Sequence, residues 1–120
     1  KEPLGPVVRQ GDAVWEDIVR WSLNVMIEAE EYGITSSNAE GMKTSENPQI
    51  KRLVGAEGEL GASLGVDNDW SLRIIQQVGN YGESYKRNIA DTGILPVRGP
   101  NALWNDPKLK GGLLYVPPAR

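Results

Sequence analysis

Residues 15–33 read Trp15-Glu16-Asp17-Ile18-Val19-Arg20-Trp21-Ser22-Leu23-Asn24-Val25-Met26-Ile27-Glu28-Ala29-Glu30-Glu31-Tyr32-Gly33, and this stretch decides the fold. Its polar residues Asp17, Arg20, Asn24, Glu28 and Glu31 fall three or four apart, which lays them along one narrow stripe of an α-helix. Trp15, Ile18, Val19, Trp21, Leu23, Val25, Met26, Ile27 and Ala29 wrap the rest of the circumference. A helix with so little wet surface needs neighbours on several sides, so it is the predicted centre of the core. Asp12 stands where an N-cap belongs, and Gly33 where a left-handed residue would end the helix.

Working outward, Leu4-Gly5-Pro6-Val7-Val8-Arg9 is β-branched and lies between Pro3 and Gly11, which predicts an extended edge or crossing strand within residues 1–11. Downstream, Ser37 with Glu40 matches a capping box, and Asn47-Pro48 matches an N-cap followed by proline at the first helical position. That second short helix should end near Gly55. Glycines 55, 58, 61 and 65 break the next run, although Leu60 and Leu64 permit one further helical turn. Asp67-Asn68-Asp69 then leads into Trp70, and Ile74, Ile75, Val78, Tyr81, Tyr85 and Ile89 recur at helical spacing. Gly79 and Gly82 interrupt that second long helix. Each costs about 1 kcal/mol against alanine there, so a neighbour must approach closely or the helix must break. Beyond Asp91 glycine, proline and asparagine dominate, with apolar patches at Ile94-Leu95, Leu103-Trp104 and Leu113-Leu114-Tyr115. This predicts an irregular strap with a short helix around residues 101–104. The chain thus reads as one mainly α segment: a strand over 1–11, a helical core over 12–92 and an irregular tail over 93–120.

A chain of 120 residues with net charge -3 and 39% hydrophobic residues has the composition of an ordinary globular domain. It offers no basic field for a nucleic acid, and no apolar run reaches the roughly 20 residues of a membrane helix. With no cysteine and no histidine, disulfides, thiolate nucleophiles, histidine bases and Cys/His zinc sites are all excluded. The spacing Gly55-x-x-Gly58-x-x-Gly61 is neither a dinucleotide fingerprint nor a P-loop, and is read as loop. The pairs Glu28/Glu31 and Glu57/Glu59 fall on predicted solvent stripes, where nothing would shift a carboxylate toward acid-base work. Trp15, Trp21, Trp70 and Trp104 could line a sugar or cation site, but core packing accounts better for most of them. No catalytic residue, metal ligand or cofactor motif is assigned.

The order of several uncommon strings does resemble a known family. Residues 1–12, then Trp15 and Asp17-Ile18-Val19-Arg20-Trp21, look like the late part of general L-amino-acid-binding proteins of ABC transporters. Ala29-Glu30-Glu31-Tyr32-Gly33-Ile34-Thr35, Asn47-Pro48-Gln49-Ile50-Lys51-Arg52, Asn68-Asp69-Trp70 and Gln77-Val78-Gly79-Asn80-Tyr81-Gly82-Glu83 continue the likeness. Arg98-Gly99, Asn101-Ala102-Leu103-Trp104-Asn105, Gly111-Gly112-Leu113-Leu114-Tyr115 and Pro117-Pro118-Ala119-Arg120 complete it across the whole chain.

The resemblance implies the carboxy-terminal part of one lobe of an α/β type II periplasmic-binding fold, with residues 1–9 as the strand returning from the other lobe. It also implies a periplasmic location, an ABC permease as membrane partner, and an L-amino acid as ligand of the intact parent protein only. The family's ligand-clamping motifs lie upstream, so no ligand-binding residue is carried over. Lys1, with no charged-then-apolar leader around it, marks an excised or processed beginning. A helix apolar nearly all round would expose a large patch in such a piece, which predicts self-association, by exchange of the first strand or of a long helix. The alternative reading is a free-standing helical interaction or oligomerisation module.

Overall fold

The computed structural model describes residues 4–109 and 111–119. Helix α1 spans Ala13–Glu31, and Asp12 caps it by accepting a hydrogen bond from the Trp15 amide at 3.0 Å. It stops where expected: the chain turns at Gly33, whose φ of 67° is the left-handed conformation glycine adopts without strain. A 3-10 turn follows at Ala39–Thr44. Next comes α2, Pro48–Leu53, capped by Asn47, which accepts from the Gln49 amide at 2.9 Å. A single turn, α3, covers Leu60–Ser63, α4 covers Trp70–Val78 and α5 covers Tyr81–Tyr85, running into a π-type turn at Lys86–Ala90.

Both consequences foreseen for the interrupted second helix occur. Gly79 ends α4 with a φ of 90°, and Asn80 restarts the chain as α5 through a capping box with Glu83. At Gly82 a Cβ would stand 2.8 Å from Glu30 Oε1 and 3.2 Å from Arg98 Nη1, so a neighbour does crowd that position.

Helix α1 is the centre of the core, but only along its second half. Val25 and Ala29 enter one cluster with Ile34, Leu53, Val54, Trp70, Leu72 and Ile75. Ile27, two residues from Val25 and therefore on the opposite side of the helix, enters a second cluster with Leu103 and Val116 from the tail. The first half is open: Val14 is 65% exposed and Trp15 51%. The body is a flat slab of 39 × 38 × 22 Å, about two helix diameters thick. Its radius of gyration of 14.6 Å exceeds the roughly 13.6 Å expected of a compact chain this long.

Four expectations are corrected. Residues 4–9 form no strand: they lie exposed, Val8 excepted, and no described segment pairs with them. A strand leaves alternate backbone groups needing a partner, and the described residues supply none; residues 1–3 lie outside the described residues. The capping box at Ser37 and Glu40 does not form, because Asn38 takes the turn instead, accepting from the Thr35 amide at 2.7 Å and donating to the Gly33 carbonyl at 3.0 Å. The short tail helix sits at Gly99–Asn101, earlier than foreseen, and Leu103 instead forms an isolated parallel bridge to Leu114. Glu28 is not on a solvent stripe, as described next.

Candidate functional site

The side chains that the tail brings to α1 form the most constructed polar cluster of the molecule. Arg98 reaches back 68 residues to Glu30 and donates from both terminal nitrogens to its two carboxylate oxygens, with both side chains 15% exposed. Its guanidinium also donates to the Asn101 carbonyl, at 2.9 Å from Nη2 and 3.2 Å from Nε. The rings of Tyr81 and Tyr85 flank it, each centroid 5.5 Å from Cζ, so the cation meets two aromatic faces and a fork-on-fork carboxylate. Burial pushes the Tyr81 phenol above its ordinary pKa, against the opposing pull of the Arg98 charge. Near the other end of the tail, the Ala119 amide donates to Glu28 Oε2 at 2.9 Å, and Glu28 is only 3% exposed. The acid read as stripe is therefore a buried anchor for the chain end.

Chemically this cluster holds structure together. With four of its five N–H donors engaged by the Glu30 carboxylate and the Asn101 carbonyl, the Arg98 guanidinium lacks the pair of donors a second carboxylate's fork would need, and a buried Arg–Glu pair costs desolvation that such extensive pairing offsets. Glu31 accepts from Asn105 at 3.2 Å. Glu57 is exposed and pairs with Lys51 at 2.8 Å, and Glu59 is exposed at the start of α3. The candidate acid pairs are thus dispersed among structural and surface roles. The Gly55, Gly58 and Gly61 loop is a packing device: a Cβ at Gly55 would run into the Asn68 carbonyl, and one at Gly61 into that of Asp67.

The four tryptophans divide. Trp70 is 8% exposed, and Trp21 packs at the margin of the main cluster. Trp15 is open, and Trp104 is 55% exposed with Tyr115 set edge-on against it at 5.9 Å. Two grooves remain. One, of about 250 Å³, runs between Glu28, Tyr32, Gln49, Trp104 and Tyr115. The larger, of about 460 Å³, lies between α1 and α4 and is lined by Ile18, Ser22, Val66, Asp67, Trp70, Arg73 and Ile74. The Trp70 indole N–H is buried without a hydrogen-bond partner, alone in this among side chains of the described residues. An orphaned buried donor costs about 1–3 kcal/mol. Sequence reasoning missed Arg98 as Glu30's partner; the crowded Gly82 was its one local signal.

No family model matches the chain. The flat helical slab superposes on part of a periplasmic binding protein. The solved ABC transporter periplasmic binding protein from Brucella ovis, with glutathione bound, matches 94% of this chain with a TM-score of 0.86 and 53% identity. The chain covers 35% of that structure. The general L-amino acid-binding periplasmic protein AapJ of Rhizobium johnstonii is 53% identical over the whole chain, as is the glutamate/glutamine/aspartate/asparagine-binding protein BztA of Rhodobacter capsulatus. The putative amino-acid ABC transporter-binding protein YhdW of Escherichia coli is 48% identical. This chain is a homologue of the amino-acid-binding periplasmic proteins of ABC transporters, and it spans about a third of the length of these relatives.

Proposed function

We propose that this chain is one part of a lobe in a periplasmic solute-binding protein for amino-acid uptake, acting with an ABC permease, non-catalytic, and unable to hold an amino acid alone. The carrying observation is the match along the whole chain at 53% identity, against 35% of the relatives' length. Chemistry supports the same reading. A zwitterion needs cationic or amide donors for its carboxylate and an acid for its ammonium, converging from opposed walls. Here Arg98 is engaged by Glu30 and Arg73 by Asp67 and Asp69, and neither groove faces a second wall. Calorimetric titration of the isolated chain with mixed L-amino acids and with glutathione should give no binding heat. The same chain, substituted for the matching third of the Brucella ovis protein, should sit in a protein that binds. Micromolar or tighter capture of an amino acid by the isolated chain would overturn the reading. Without the remaining lobe, association between copies through the open side is the expected behaviour.

A further inference from the structure

We infer that the groove between α1 and α4 is the seat of the rest of the lobe, and that the segment filling it supplies a hydrogen-bond acceptor to the Trp70 indole. The inference rests on the reading above. Three observations carry it. Ile18, Val66, Trp70 and Ile74 give the groove an apolar lining, with Ser22 and Arg73 also along it. The indole forming one of its walls holds a buried N–H with no acceptor, and a buried donor is normally satisfied in a finished fold. The apolar surface does not end at the groove, because Val14 and Trp15 extend it along the open half of α1. The occupant is polypeptide and not a small solute, since nearly two thirds of the superposable relative lies outside this chain and must pack somewhere on it. Of the other polar side chains along the groove, Arg73 pairs with Asp67 at 2.6 Å, and Ser22 Oγ donates to the Ile18 carbonyl at 2.7 Å. What the groove lacks is an apolar lid carrying an accepting carbonyl.

The chain has no cysteine, so one introduced thiol reports on one place. Ser22→Cys is made in the isolated chain and in the chimera with the Brucella ovis protein, and its reaction with a soluble maleimide is timed. Labelling should slow at least about tenfold in the chimera, as protection of a covered site requires. The Trp70 indole proton should shift downfield in NMR spectra of the chimera, and Ile18→Glu should lower the chimera's urea midpoint far more than the isolated chain's. Equal labelling rates in a folded chimera would overturn the inference, as would a chimera that folds no better than its unlinked pieces. So would a dimer of this chain that protects Ser22→Cys and persists in the chimera. A chimera that binds amino acids while its cysteine reacts freely would keep the proposed function and sink this seat alone.

Discussion

The two halves of α1 differ little in composition and greatly in environment. Residues 13–22 carry six apolar side chains of ten and residues 23–31 five of nine, yet no residue of the first half is buried and four of the second are. Their charges differ in the same way. Glu16 and Asp17 pair with Arg20 on the surface, whereas Glu28 and Glu30 are enclosed and tied to Ala119 and Arg98. Periodicity determines which residues share a face, and the rest of the chain determines which faces are covered. In this molecule the tail, α4 and α5 cover one end of the helix, and nothing among the described residues closes the other.

The largest effect that separates the halves is truncation of an apolar side chain. Ile27→Ala, at a position 5% exposed, should cost about 3 kcal/mol, while Val14→Ala should change stability by less than about 0.5 kcal/mol. Urea unfolding followed by circular dichroism at low protein concentration measures both. Comparable losses at the two positions would mean that the first half is covered after all, and a concentration-dependent midpoint would name a second copy as the cover.

A slightly smaller effect separates the ion pairs. Arg98→Ala leaves Glu30 enclosed without its cation and removes both aromatic contacts, so about 2.5 kcal/mol should be lost, below the full value for a dry pair because each side chain keeps 15% exposure. Arg20→Ala, on the open half, should cost no more than about 0.5 kcal/mol, since its side chain is 57% exposed. Raising the salt concentration should shrink the second effect and leave the first nearly intact. A cheap Arg98→Ala would recast the cluster as a surface network.

Much of this architecture was legible, and what was legible was local. Asp12, Gly33 and Asn47 cap or end helices where their chemistry said they would, because capping depends on a few adjacent residues. Gly79 and Gly82 marked both a break and a close approach, though not what approached. Glu28 was misread for the opposite reason. Helical spacing aligns it with Asp17 and Arg20, but its burial depends on a chain end 91 residues away. The pairing of Arg98 with Glu30 is equally remote, and residues 4–9 have strand chemistry without a strand partner. The larger groove was beyond any local pattern, because Ile18 and Ser22 come from one helix and Trp70 and Ile74 from another.

The smallest effect tests the sealed side by pH. Glu83 links α5 to the turn after α1: its carboxylate accepts from Ser36 Oγ at 2.7 Å, the Ser36 amide at 3.0 Å and the Asn80 amide at 2.9 Å. Partial burial pushes its pKa up, but these hydrogen bonds and the Arg87 charge outweigh it and hold the carboxyl below the ordinary 4.5. A depressed folded-state pKa means that the charged form binds better in the folded protein, so its contribution is complete above pH 4.5 and disappears as pH falls through the lower, folded value. Glu83→Gln keeps an accepting oxygen and removes the charge. Its stability deficit against the unsubstituted chain should therefore be constant from about pH 7 to pH 5 and close toward pH 3, as read from urea midpoints across that range. A deficit that widened in acid would show that the carboxyl is held protonated instead, and that α5 is joined to α1 by a neutral contact.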